Sequence, residues 1–284
     1  MKNYRENLVG VFGDPVDENP TGAIEQAGFD YLGLPFRFLT IKVKEGDLED
    51  AVKGMRAMNF SGIGVTMPHK QTIMQYLDEV SKDASIIGAV NTVYWKEGKL
   101  FGENVDGKGF MMSLKDNNIN PYGKKIVVLG AGGAASAIAV ELALAGAKHI
   151  TIVNIEETQG ERLVKSINDN TESEAEFNLW KGTYTIPEGT DIFINATSIG
   201  FVDGTQCPDV DYNSYGKDTV VCDVIPNKTT TLFLDKAKEK GCKTINGLSM
   251  LVNQGTLCFE LWTGEKAPLE VMTNAVKREF NITD

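Results

Sequence analysis

The sequence predicts an α/β protein of two domains, each with parallel strands covered by helices. Three observations carry this. Short β-branched runs alternate with helix-like segments along the 284 residues. One alternation, KKIVVLGAGGAA (124–135), puts a glycine-rich turn between an apolar run and an alanine-rich segment. A polar, turn-rich stretch, NNINPYG (117–123), interrupts the series and marks a nearby boundary.

In the first series NLVGVFG (7–13) reads as a strand, and NPTGAIEQAGFDYLG (19–33) as a helix stopped by glycine. PFRFLTIKV (35–43) is a strand, DLEDAVKGMRAMN (47–59) an amphipathic helix, SGIGVTM (61–67) a strand and KQTIMQYLDEV (70–80) a helix. NTVYWKEGKLFGEN (91–104) carries Glu-Gly between two apolar segments, a hairpin signal.

In the second series KKIVVLG (124–130) is a strand and AASAIAVELALAGA (134–147) a helix closed by glycine. HITIVN (149–154), TDIFINAT (190–197), TVVCDVI (219–225) and KTING (243–247) are strands. TTLFLDKAKEKG (230–241), SMLVNQGTLCFELWTG (249–264) and LEVMTNAVKREF (269–280) are helices. Alternation of this kind implies open sheets with helices on both faces. The expected division is 1–108 with 248–284, and 109–247.

The formal charge of −11 argues against a nucleic-acid partner or an acidic membrane surface. It leaves room for a small anionic ligand held by local positive groups. The four cysteines form no C-x-x-C pair, and His69 and His149 are the only histidines. A metal site and a disulfide framework are therefore not expected. The N-terminus lacks the apolar stretch of a signal peptide and no run approaches membrane-spanning length, so a cytoplasmic protein is expected, as monomer or homodimer.

Gly130, Gly132 and Ala135 fit G-x-G-x-x-G/A between a strand and a helix. Gly130 permits the tight turn, Gly132 leaves space for a pyrophosphate, and Ala135 lets the helix pack closely. Amide groups at the helix N-terminus then face the phosphates. This predicts a Rossmann domain for 109–247. The next strand ends in Asn154-Ile155-Glu156-Glu157. A carboxylate there accepts hydrogen bonds from ribose hydroxyls, whereas a 2′-phosphate needs a cation. NAD is expected over NADP, with NADP still open. Glu156 and Glu157 equally suit the N-terminus of the following helix.

Lys70 follows a strand end, where open α/β sheets bind ligands, and GENVDGKG (102–109) supplies Asn104 and Asp106. Read alone, Lys70 also suits a solvated first-turn position. Six ordered blocks, VTMPHK (65–70), AVNTV (89–93), GENVDGKG, GAGGAA (130–135), NATSIG (195–200) and NQGTLCFELWTG (253–264), together resemble the shikimate/quinate dehydrogenase family.

The resemblance implies a substrate domain and a Rossmann domain with the site in the cleft between them, the last helices packing back on the first domain. It implies Lys70 and Asp106 as the catalytic pair and Thr66, Asn91 and Gln254 on the substrate. On the cofactor side it implies Gly130, Ala131, Gly132, Gly133, Ala134, Asn154, Glu156, Thr197, Ser198 and Gly247. His69 is a spacer or packing residue. The chemistry suits the pair, because oxidising a secondary alcohol requires the hydroxyl proton to leave as hydride departs.

The departures from the family pattern cluster in the substrate pocket. The S-x-S-P loop, whose hydroxyls bind the substrate carboxylate, is here GDPVDENPTG (13–22), with Asp17, Glu18 and Asn19 before Pro20. Gly64 replaces the pattern's asparagine, Val105 a threonine, Pro226 a tyrosine, and Ile155 the arginine that clamps a 2′-phosphate. The expected function is an NAD-preferring oxidoreductase with an altered small-molecule substrate, a cyclic polyol or hydroxy acid. One alternative is a shikimate or quinate dehydrogenase of aromatic amino acid biosynthesis, with Asn19 and Thr21 replacing the serines. Another is a non-catalytic dinucleotide-binding protein.

Overall fold

A computed structural model describes residues 4–282 of the chain. The chain divides into two units, one formed by residues up to Val105 with those from Val252 onward, the other by Asp106–Leu251.

The first unit runs β1 (Asn7–Gly13), α1 (Thr21–Leu32), β2 (Phe36–Lys42), α2 (Leu48–Ala57), β3 (Gly62–Val65), β4 (Glu79–Val80), α3 (Lys82–Ile87), β5 (Thr92–Lys96) and β6 (Lys99–Glu103). Its six strands lie in the order β2-β1-β3-β5-β6-β4. β1 is parallel to β2 and β3, with Val11 opposite Gly64. Each of these parallel neighbours is reached through a helix, as parallel pairing requires.

Leu48, Val52 and Met55 recur at helical spacing and bury one face of α2, while Glu49 and Asp50 stay in solvent. That face meets Phe12, Phe60 and Ile63 in the core. The hairpin is present: Glu97 and Gly98 both take positive φ, 51° and 77°, the geometry of a two-residue turn that matches strand twist. It makes this sheet mixed rather than wholly parallel, because β5 runs antiparallel to β3 and β6.

The helix expected over 70–80 does not form. Only Thr72–Tyr76 is helical, as a 3-10 turn, and Glu79–Val80 is a strand beside β6. Asp78 explains the break. Its amide donates to the Leu100 carbonyl, and its carboxylate accepts from the Leu100 amide at 2.6 Å and from Arg56. These cross-chain bonds outcompete a second helical turn. Instead α3 forms, capped by the Ser81 hydroxyl on the Ala84 amide.

The second unit runs α4 (Asp106–Asp116), β7 (Lys125–Leu129), α5 (Gly133–Leu144), β8 (His149–Asn154), α6 (Glu157–Asn170), β9 (Glu174–Leu179), β10 (Tyr184–Thr185), β11 (Ile192–Asn195), β12 (Val210–Asp211), β13 (Val220–Asp223), α7 (Leu232–Glu239) and β14 (Thr244–Ile245). Six strands lie in the order β14-β13-β11-β7-β8-β9, all parallel. Counted within the unit this is the doubly wound order, with its switch point between β7 and β11. The strand interiors, including Val127, Leu129, Val153, Phe193 and Val221, are buried as both-face coverage demands. β9 closes one edge with the half-polar run EAEFNL, which lacks the apolar signature of the inner strands.

α8 (Gly247–Thr263) and α9 (Leu269–Glu279) end the chain. In the first unit α9 packs on α1, and Phe259 of α8 stacks on Phe29 of α1 with ring centroids 5.1 Å apart. Among the described residues, no helix is long and apolar enough to cross a membrane.

Candidate active site

In the first unit, hydrogen bonds gather the segments that hold the expected substrate residues. β3 ends at Val65, whose amide donates to the Asn91 carbonyl at 2.7 Å, and the Val90 amide donates to the Lys70 carbonyl at 2.7 Å. The Lys70 and Asn91 loops are thus zipped side by side. Lys70 is half-buried, unlike a lysine on an open helical turn. Asn91 is buried, and its Oδ1 accepts from the Val105 amide at 2.8 Å, which directs the amide NH2 elsewhere. The Thr66 amide donates to Phe12, and the Asp14 amide to Met67, so the loop after β1 is fastened to the same segment. His69 is buried with Nε2 2.7 Å from the Val43 carbonyl, the packing role expected of it.

Asn19 sits in that loop with Oδ1 accepting from the Thr21 amide at 3.0 Å, a local turn bond that organises the start of α1. Asp14 pairs with Lys42 at 3.0 Å, and Asp17 and Glu18 are exposed. Thr66, Lys70, Asn91 and the Asn19 loop are therefore joined by backbone bonds. Gln254 belongs to a different element, the half-buried middle of α8.

In the second unit the glycine loop has the form a dinucleotide needs. Gly130 follows β7 at φ 102°, and a Cβ there would stand 3.0 Å from the Ala196 carbonyl oxygen. At Gly132 and Gly133 an added Cβ would meet no protein atom within 4 Å, so the surface beside Ala131 and Ala134 is open. α5 starts there with no side chain capping it, which leaves N-terminal amides to an external acceptor. Ala135 is fully buried, as close helix packing requires.

At the end of β8, Asn154 Nδ2 donates to the Glu156 carbonyl at 2.9 Å. Glu156 precedes α6 without capping it, and Ile155 is 76% exposed. These features fit an adenosine ribose and provide no cation for a 2′-phosphate at position 155.

Asp106 is buried as the first residue of α4. The next residue, Gly107, lies so close to α5 that a side chain would strike the Ala137 carbonyl. Gly247 has a similar reason to be glycine: a side chain would run into the backbone of Val224 and Ile225.

Sequence reasoning missed the polar hub behind Thr197 and Ser198. Both the amide and the hydroxyl of Thr197 donate to Asn195 Oδ1, at 3.2 and 2.7 Å. Asn195 Nδ2 donates to Asp223 Oδ1 at 3.1 Å, and the Thr231 hydroxyl to Asp223 Oδ2 at 2.6 Å. Asn195 and Asp223 are buried, and burial pushes the Asp223 carboxyl up to about 6 despite these donors. The signal lay in the polar residues that end two otherwise apolar inner strands, Asn195 of IFIN and Asp223 of VVCD.

Known proteins match the chain along nearly its whole length. The shikimate dehydrogenase substrate-binding domain matches residues 11–93, shikimate/quinate 5-dehydrogenase residues 113–200, and the shikimate 5′-dehydrogenase C-terminal domain residues 247–277. Shikimate dehydrogenase (NADP(+)) of Desulforamulus reducens is 40% identical over 98% of this chain and 97% of its own length. The ligand-free crystal structure of 5-ketofructose reductase from a Gluconobacter strain is 48% identical, with TM-score 0.93, covering 97% of this chain and 99% of that one. Shikimate 5-dehydrogenase of Listeria monocytogenes, in complex with shikimate and NAD, is 34% identical with TM-score 0.89, covering 96% of each chain. The chain belongs to the shikimate/quinate dehydrogenase family, as an NAD(P)-dependent dehydrogenase acting on a CH–OH group.

Proposed function

We propose that this chain interconverts a secondary alcohol of a polyol and its ketone, prefers NAD, and takes a substrate without a carboxylate. The observation that carries this is the loop after β1. The family pattern has serine hydroxyls there for a carboxylate; this loop holds Asp14, Asp17 and Glu18, and its neighbour Lys42 is engaged by Asp14. A substrate anion beside this loop would be repelled. Gly64 and Val105 remove two further polar side chains from the pattern. The similarity to a reductase of 5-ketofructose supports a sugar-like ketone.

The retained residues keep the reaction type. Lys70 moves the proton at the reacting oxygen, and its ammonium offsets negative charge growing there. By the family resemblance Asp106 is the second member of the catalytic pair, a carboxylate that complements a cation in the reaction. Asn91, with Oδ1 committed to Val105, presents its NH2 to a hydroxyl, and Thr66 and Gln254 supply further polar contacts. Nicotinamide supplies the hydride acceptor when bound.

A second reading is shikimate or quinate oxidation. It is favoured by the curated relatives, among them the Desulforamulus and Alkaliphilus metalliredigens proteins, both named shikimate dehydrogenase (NADP(+)), at 40% and 41% identity. Steady-state assays decide. NAD⁺ and NADP⁺ are paired with shikimate, quinate and neutral cyclic polyols, and NADH and NADPH with 5-ketofructose. Efficient NADP-dependent oxidation of shikimate overturns the polyol and NAD assignments and establishes the second reading.

A further inference from the structure

The buried hub at the ends of β11 and β13 has no role in the proton and hydride chemistry, yet it is built with unusual completeness. Asp223 Oδ1 accepts from Asn195 Nδ2 and from the Ile225 amide, the latter at 3.2 Å, and Oδ2 accepts from Thr231. The Asn195 carbonyl accepts from the Val224 amide at 3.1 Å, and its side-chain Oδ1 takes both donors of Thr197. Thr197 Oγ1 in turn accepts from the Ile199 amide at 3.1 Å. A carboxylate buried on β13 therefore sets, through one amide, the conformation of residues 197–199 after β11.

Those residues lie where a doubly wound sheet receives its ligand, outside the carboxyl ends of strands at the switch point. The close approach of Gly130 to Ala196 places them beside the glycine loop of the same unit. A lone buried carboxylate costs free energy unless donors surround it. One retained here to hold an exposed loop points to a task in that loop.

We propose that Asp223 is a positioning residue for the dinucleotide: acting through Asn195, it locks Thr197 and Ser198 in the orientation the bound cofactor requires. The inference rests on the dinucleotide reading of this unit and assigns its positioning device.

The test is fluorescence titration with NADH and NADPH, with thermal unfolding of each variant alongside. The wild type comes first: failure to bind either nucleotide overturns the reading of the glycine loop and this inference with it. Given wild-type binding, Asp223→Ala is expected to raise the nucleotide Kd about tenfold or more, the scale of a lost buried charge-assisted hydrogen bond. A folded Asp223→Ala with wild-type Kd overturns the inference.

Should Asp223→Ala not fold, Asn195→Asp decides. It sets two carboxylates about 3 Å apart, the present Asn195–Asp223 spacing, and these must share a proton. Its Kd is expected to rise with pH, and Asn195→Asp combined with Asp223→Asn, which restores one donor and one acceptor, is expected to remove that pH dependence. A pH-independent, wild-type Kd in Asn195→Asp overturns the inference, because a merely structural hub would alter stability without altering the nucleotide's pH profile.

Discussion

The carbonyl oxygen of Ala196 lies 3.0 Å from the point where a Cβ on Gly130 would stand, and Gly130 itself has φ 102°. Two independent constraints, crowding and a left-handed backbone, therefore fall on one residue. Gly132, two positions on, has neither: its φ is −75° and an added Cβ meets nothing within 4 Å. Gly130→Ala is expected to lose about 1–3 kcal/mol of stability, the usual cost of such backbone strain. Gly132→Ala is expected to cost under about 1 kcal/mol, as a weaker helix cap, yet to raise the NADH Kd roughly tenfold by blocking the pyrophosphate. Thermal unfolding and NADH titration of both variants check the contrast. Equal destabilisation, or unchanged NADH binding by Gly132→Ala, would remove the basis for the phosphate-binding role.

Lys70 is half-buried, with its carbonyl tied to Val90. That bond is made by the main chain and is kept when the side chain is replaced. Lys70→Ala should leave the fold and NADH binding unchanged while turnover falls by about 10²–10⁴, the range for a group that transfers a proton in the rate-determining step. Comparing kcat with the NADH Kd tests this. Turnover within a few-fold of wild type would end the proton-transfer role.

Both sheets could be read from the sequence wherever strands are buried. Apolar runs such as HITIVN and NLVGVFG leave no competing interpretation, and the Glu97-Gly98 turn announced its hairpin. β9 escaped because an edge strand can be half polar, and the helix over 70–80 failed because Asp78 bonds to Leu100, some twenty residues on. In the site, the glycine loop was readable because its chemistry is local to six residues. The Thr197–Asn195–Asp223–Thr231 hub was not, since it joins side chains from separate strands and loops that only the folded sheet brings together.

Ile155 is the first residue after β8 and is 76% exposed, directly following the buried Asn154. A side chain there can change without disturbing packing. Ile155→Arg introduces a guanidinium able to pair with a 2′-phosphate, worth about 1.5–3 kcal/mol for a charge-assisted contact. The ratio of kcat/KM with NADP to that with NAD is expected to rise at least about tenfold. Parallel assays with both cofactors measure it; an unchanged ratio would mean that this strand end does not choose the cofactor.

Glu25 on α1 is fully buried, and neither carboxylate oxygen has a hydrogen-bond partner. Gly255 of α8 lies against it, since a Cβ there would stand 3.5 Å from Glu25 Oε1. Burial pushes the Glu25 carboxyl well above the ordinary value of 4.5. The sign follows from linkage. The folded state holds this proton more tightly than the unfolded chain, so the stability it confers is complete below about pH 4.5. That stability is lost as pH rises towards the folded value. Replacing it with an apolar side chain of similar size removes the burden. Glu25→Leu is therefore expected to be more stable than wild type at pH 7–8, by about 1–3 kcal/mol for an unpaired buried polar group. The gap should narrow as pH falls towards 4.5. Thermal unfolding of both proteins across that range gives the two curves, and parallel curves would mean that Glu25 does not take up its proton in the fold.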